Sequence, residues 1–191
     1  MAQQKSSAPN RVRIIGGNWK RSVVTFPTLE GLRPTPDRVR ETVMNWLGQD
    51  LSGWSVLDCF AGTGAFALEC ASRGAARVVA LDTQAPAVKS ITEHAARLGG
   101  AGIVSALRVD AMNYIATCGT QFDLVLCDPP FSGGYYEKLA EIAPQVLKPH
   151  GVLYLEAPQE FTVFGPLAQR KHARTGAVHY HLFQQISQYE N

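Results

Sequence analysis

The chain has 191 residues, 46% of them hydrophobic, and a formal net charge of +2. That suffices for one full core with a small appendage, while no stretch approaches the roughly 18 apolar residues of a membrane span and "MAQQKSSAPN" lacks the apolar centre of a secretory signal. A soluble, cytoplasmic protein is expected, with Cys59, Cys70, Cys118 and Cys127 as free thiols because they show neither CxxC nor Cys/His metal spacing.

In chain order, residues 1–10 are polar and predict a disordered tail. Residues 11–50 form a basic extension. Two apolar bursts, "RVRII" and "VVTF", flank "GGNWKRS" and predict a hairpin. "TPDRVRETVMNWL" then predicts a helix with Val39, Val43, Met44 and Leu47 on one face, behind Thr35 and Pro36. Residues 1–40 hold eight Lys/Arg against Glu30 and Asp37, a balance of +6 that leaves −4 on the remainder. A basic end on a mildly acidic body points to a polyanion partner or, as the bland reading, to a solvated tail.

Residues 51–191 alternate strand and helix. Strands are expected at "WSVLDCF", "ARVVALD", "GIVSALRVD", "FDLVLCD" and "GVLYLEA", with helices at "GAFALECASRG", "APAVKSITEHAARLG", 111–116 and 135–147. This alternation predicts βαβ units in an α/β fold with a mostly parallel, seven-stranded sheet, closed by an antiparallel hairpin around Gly176 in "RKHARTGAVHYHLFQQ".

Ligands of such sheets bind at the carboxyl ends of the strands. The first of these strands ends in "DCFAGTGAFA", where Gly62 and Gly64 let the backbone pass close beneath a ligand. Gly62, Gly64 and Ala67 also satisfy the GxGxxG/A pattern of dinucleotide sites, but Asp58 four residues earlier would repel a pyrophosphate. A carboxylate there suits an ammonium group or ribose hydroxyl instead. Asp82 ends the second strand, where acids commonly take ribose hydroxyls. Asp110 ends the third, placed to accept from an adenine amine while the Ala111 N–H meets a ring nitrogen. Any one of these acids alone also reads as a helix N-cap or a solvated strand end. Three at successive strand ends, with the glycine loop Ala61-Gly62-Thr63-Gly64 between the first two, point to S-adenosylmethionine (SAM).

The fourth strand runs into Asp128-Pro129-Pro130-Phe131. The prolines stop the strand and fix the following turn. The Pro129 carbonyl and the Asp128 carboxylate then form two acceptors for the two hydrogens of an exocyclic NH₂, and Phe131 offers a face on which a base stacks, worth roughly 1–3 kcal/mol. Accepting both N–H bonds favours a pyramidal nitrogen whose lone pair attacks a methyl carbon in line with sulfur.

The Asp-Pro-Pro-aromatic element with "LDCFAGTGAFALE" resembles SAM-dependent methyltransferases acting on exocyclic amines of bases. More narrowly, "RIIGGNWKR", "GLRPTPDRVRETVMNWL", "DCFAGTGAFALECASRGA" and "CDPPF" are similar to the RsmD family of bacterial 16S rRNA methyltransferases, over about Arg11 to Gln184. That resemblance implies a class I methyltransferase fold of the Rossmann-like type. It implies cofactor contacts from Asp58, Ala61, Gly62, Thr63, Gly64, Asp82, Asp110 and Ala111, and target-base contacts from Asp128, Pro129, Pro130 and Phe131. The substrate it implies is the N2 amine of a guanine in 16S rRNA, within the small ribosomal subunit or an assembly intermediate. Where Asp82 stands the family often has Glu.

The basic extension is then expected to hold rRNA phosphates through Arg11, Arg13, Lys20, Arg21, Arg33, Arg38 and Arg40, which position RNA without reading its sequence. Asp37 reads better as a helix-start residue. Trp19 stacks on RNA or packs in the hairpin, Glu156 faces the cleft or solvent, and Tyr135 and Tyr136 line the target pocket or begin a helix. His179 and His181 share a side of one strand without a third ligand, so no metal is expected. A monomer is expected. The competing functions are a DNA adenine-N6 methyltransferase and a non-catalytic ribosome-assembly factor that binds RNA.

Overall fold

A computed structural model describes residues 10–28 and 34–185. An N-terminal hairpin, β1 (Asn10–Arg13) and β2 (Val23–Phe26), is followed by α1 (Asp37–Leu47), β3 (Ser55–Asp58), α2 (Ala65–Ser72), β4 (Arg77–Asp82), α3 (Ala85–Arg97), β5 (Val104–Arg108) and α4 (Ala111–Thr117). Then come β6 (Phe122–Cys127), α5 (Tyr135–Ile142), a 3-10 turn (Ala143–Val146), β7 (Leu147–Ala157), β8 (Val163–Phe164), β9 (Leu167–Thr175) and β10 (Val178–Gln185). The main sheet has the order β5-β4-β3-β6-β7-β10-β9-β8. The first five strands are mutually parallel, and the last three run antiparallel.

This is the expected α/β architecture with one strand more. β8 is only two residues long and has no period to detect. The helix expected to reach 147 stops at Ile142, because Pro144 lacks the N–H that a continuing α-helix needs, and the chain tightens into the 3-10 turn. β7 accordingly starts at Leu147, four residues before the expected strand.

Strand alternation sorts the core into two layers. Val56, Leu124, Leu126, Val152, Tyr154, Tyr180 and Leu182 face α1, α2 and the N-terminal hairpin. Leu57, Val125, Cys127, Leu153, Leu155 and Phe183 face α4 and α5. Helix α2 is buried at every position, as expected of an apolar helix packed on the sheet. Cys59, Cys70 and Cys127 are buried free thiols, and Cys118 is half-buried and free. No helix among the described residues is long and apolar enough to cross a membrane.

The basic extension has no separate core: Val12, Ile14, Val24, Phe26, Val39, Val43 and Met44 belong to the same apolar cluster as the sheet. Backbone polar groups complete the docking. The Glu69 carboxylate on α2 accepts from the N–H of Ile15 (2.9 Å) and Gly16 (2.8 Å), and Asn18 N–H donates to the Ser72 carbonyl (2.7 Å). Gly17 sits at φ +71°, where a Cβ would lie 1.9 Å from the Ser72 carbonyl oxygen. Glycine at position 17 of the hairpin turn is thus required by its close approach to α2.

Candidate active site

Strand order reverses direction between β3 and β6, and the carboxyl ends of these neighbours open a crevice. The β3–α2 loop is pinned across it. Cys59 N–H donates to the Leu126 carbonyl (2.9 Å), Ala61 N–H to the Leu81 carbonyl (2.9 Å), and Gly64 N–H closes a turn on Ala61 (2.7 Å). Gly64 stands at φ +75°, and a Cβ there would meet Ile91 at 2.5 Å. The loop therefore keeps its shape only with glycine at that position.

The cleft beneath this loop is lined by Thr35, Asp58, Phe60, Ala61, Gly62, Thr63, Phe66, Leu126, Asp128 and Tyr154. Asp58 is buried, and burial pushes its carboxyl up to about 7. The nearby Asp82 charge adds to the rise, opposed by N–H donation from Ala67 and Phe60. Asp82 holds the loop with both oxygens, accepting from Gly62 N–H (2.9 Å) and Gln84 N–H (2.8 Å). A carboxylate offers about four acceptor sites, so capacity for hydroxyls remains. Asp110 is the N-cap of α4, accepting from Asn113 N–H (3.0 Å), the alternative that its sequence position left open. Ala111, the first residue of that helix, is buried. Asp58, Asp82 and Asp110 thus close the ends of three adjacent parallel strands, β3, β4 and β5.

On the other side of the cleft lies the Asp128–Phe131 turn. Pro129 is buried, whereas Pro130 is exposed and Phe131 is 45% exposed. An aromatic ring of that size left bare beside a polar cleft is available for stacking. Asp128 is raised well above the ordinary carboxylate range by burial first, then by the charges of Glu156 and Asp58. Glu156 is also raised by burial, opposed by hydrogen bonds from the Tyr154 and Thr35 hydroxyls. The Tyr154 hydroxyl donates to Glu156 Oε1 at 2.6 Å. Tyr136 donates to the Glu156 carbonyl (3.4 Å), and its phenol is raised by burial and the two acids. Tyr135 packs edge-on against Phe60, with centroids 5.8 Å apart. Both tyrosines begin α5 and flank the turn.

Thr35 joins the cleft without any motif in the sequence to mark it as part of it. A signal for Tyr154 and Glu156 was present: "LVLCD" and "LYLEA" are adjacent strands, each with an acid at or near its end two residues after a side chain on the same face.

The extension divides into exposed and buried cations. Arg11, Arg13, Lys20, Arg21 and Arg38 are exposed, and Arg33 lies outside the described residues. Arg40 corrects the expectation of phosphate contact. Its side chain has no exposed surface and pairs with Glu69 (3.2 Å), Asp37 (2.6 Å) and the Arg13 carbonyl (2.8 Å). Trp19 is half-buried and packs against Gly100, so its ring is part of the hairpin's docking.

The hairpin β9–β10 adds the third imidazole missing from sequence spacing. His172 joins His179 and His181, with nitrogens all within 4.8 Å. Their bonding is that of a hydrogen-bonded stack. His181 Nε2 accepts from Phe161 N–H (3.2 Å) while its Nδ1 faces the Leu155 carbonyl (3.2 Å). His172 meets His179 at one ring nitrogen (2.9 Å) and Glu160 at the other (3.4 Å).

Residues 12–184 match the family model described as Conserved hypothetical protein 95. The chain is 34% identical over 196 residues to ribosomal RNA small subunit methyltransferase D of Escherichia coli K12, a match covering 100% of this chain and 98% of the relative. The chain belongs to the RsmD family. A solved Escherichia coli structure, yhhF, superposes with a TM-score of 0.82 at 35% identity, covering 94% of this chain and 100% of that one. The Thermus thermophilus 16S rRNA N2 G1207 methyltransferase, solved with AdoMet and guanosine, shares the fold: TM-score 0.68 at 22% identity, over 94% of this chain and 50% of that one. The architecture of this RsmD family member is the class I SAM-dependent methyltransferase fold.

Proposed function

We propose that this chain methylates the exocyclic N2 amine of a guanine in 16S rRNA, guanine 966 of the small subunit, acting as a monomer on that subunit or an assembly intermediate. The observation that carries the reading is the junction of two half-sites. The glycine loop and Asp58 line one cleft with Asp128, and Phe131, three residues further along the same turn, leaves its ring 45% exposed.

The donor set fits SAM. Asp58 is an acceptor for its ammonium, Asp82 for ribose hydroxyls, and the positive-φ loop at Gly64 leaves the backbone close to the ligand. When bound, SAM supplies a methyl group on a cationic sulfur. Phe131 stacks the base, which must first be turned out of its RNA surroundings. Asp128 and the Pro129 carbonyl accept the two N–H bonds of the amine and localise its lone pair toward the cofactor side. Methylation leaves one N–H proton to be lost, and the Asp128 carboxylate, raised by burial and its neighbours, is positioned to take it. Arg11, Arg13, Lys20, Arg21, Arg33 and Arg38 hold phosphates during this step.

Labelled SAM and purified protein are to be incubated with unmodified small ribosomal subunits, free 16S rRNA and duplex DNA. Incorporation into rRNA alone is expected. Label in duplex DNA points to the adenine-N6 alternative, and cofactor binding without incorporation points to a non-catalytic assembly factor.

A further inference from the structure

Asp128 has a partner that the amine-holding turn does not explain. Strands β6 and β7 run parallel with Leu126 beside Tyr154 and Cys127 beside Leu155. Asp128, just past β6, and Glu156, one residue before the end of β7, are each the next residue, so the two acids stand level with each other on the same face. Asp58 ends β3 on the opposite side of β6, where it pairs in register with Leu126. Asp128 therefore lies on the central strand of β3, β6 and β7, level with Glu156 and two residues beyond the level of Asp58. The cofactor loop belongs to the Asp58 end. Glu156 is the acid on the side of Asp128 away from the cofactor loop.

Glu156 is fixed rather than loose there. It is 8% exposed, with the Tyr154 hydroxyl on Oε1 at 2.6 Å. Tyr154 and Thr35 both line the cleft. The Tyr154 hydroxyl takes one of a carboxylate's acceptor sites and orients the rest. Burying an acid beside another acid is costly unless a donor arrives to satisfy it.

The geometry points to Glu156 as the residue that selects guanine, by accepting the ring N1–H while Asp128 and Pro129 accept the neighbouring N2 hydrogens. This rests on the guanine-amine reading above. Guanine presents N1–H and N2–H₂ as adjacent donors, matched by adjacent acceptors on two strands. Adenine presents a bare N1 lone pair at the equivalent place, which meets a carboxylate oxygen with repulsion.

The test uses small subunits carrying either guanine or 2-aminopurine at the target position. 2-Aminopurine keeps the N2 amine but has a bare, accepting N1. Wild-type protein is expected to prefer guanine by about tenfold or more in kcat/KM. In E156Q, whose carboxamide can donate to that nitrogen, the preference is expected to fall to about threefold or less. SAM affinity and melting temperature are measured alongside. Equal use of both bases by wild type overturns the assignment, without reference to any variant. So does an E156Q protein that loses activity on both bases in the same proportion, since Glu156 then only positions Thr35 and Tyr154. Failure of wild type to methylate guanine overturns the guanine reading itself, and is distinguishable from both.

Discussion

Arg40 and Glu69 form an ion pair, Nη1 to Oε2 at 3.2 Å, in which neither side chain has any exposed surface. The pair joins α1 of the basic extension to α2, the helix that leaves the cofactor loop. Glu69 also receives Arg73 Nε (2.8 Å) and two backbone N–H groups of the hairpin, so its charge is compensated from three directions. Removing Arg40 strips this buried network of one of its two cations, and breaking a buried pair typically costs about 3–5 kcal/mol.

R40A is therefore expected to lower stability by about that amount in urea unfolding. R38E, on an exposed side chain of the same helix, is expected to change it by less than about 0.5 kcal/mol. Comparable unfolding midpoints for the two variants would contradict the buried-pair account.

The exposed cations of the extension give the opposite signature. Replacing Arg11 and Arg13 with Glu is expected to weaken rRNA binding without affecting SAM affinity. The slope of log K against log salt is expected to become shallower by about 1 for each phosphate that is no longer neutralised. An unchanged salt slope would remove these two residues from the RNA surface.

Asp58 carries a pH dependence whose sign follows from its carboxyl being raised to about 7. The folded state holds this proton more tightly than the unfolded chain does. Between the unfolded value near 4 and about 7 the folded state thus binds the extra proton, and stability from this group falls as pH rises through that window. D58N is expected to raise the melting temperature of the free protein at pH 8 relative to wild type, with the gain shrinking toward pH 4. SAM, a cation at the ammonium and sulfur, is expected to bind wild type more tightly as pH rises through about 7, because the carboxylate then carries its charge. A calorimetric affinity flat from pH 5.5 to 8.5 would contradict the assigned contact.

The ring of Phe131 is bare in the free protein. F131A is expected to leave stability within about 0.5 kcal/mol while costing about 1–3 kcal/mol of target-base binding, seen mainly in KM for RNA. An unfolding midpoint well below wild type would show instead that the ring is a packing element.

Much of this arrangement was legible in the sequence, for physical reasons that differ by element. The parallel strands are short apolar runs between glycine-terminated helices, and each site acid follows directly from a strand end, so Asp58, Asp82, Asp110 and Asp128 fall together once the strands do. Arg40 was misread because a charge in a basic stretch looks solvated. Its position three and four residues before Val43 and Met44 places it on the buried face of α1. The matching clue was Glu69, a lone acid in the otherwise apolar "AFALECAS", which demands a partner when the helix is buried. His172 joined His181 through the register of β9 and β10, which the turn at Gly176 sets ahead of the bulge between Leu182 and Phe183, so the pairing depends on where the turn closes rather than on any spacing along one strand.

On the proposed mechanism, Asp128 and its turn present an exocyclic guanine amine for methylation. Small ribosomal subunits lacking the modification are to be incubated with SAM and either wild-type protein or D128A, then digested and their nucleosides identified by mass spectrometry. The expected result is N2-methylguanosine with wild type and none above background with D128A, at unchanged fold stability; methyladenosine, or N2-methylguanosine formed equally well by D128A, would contradict it.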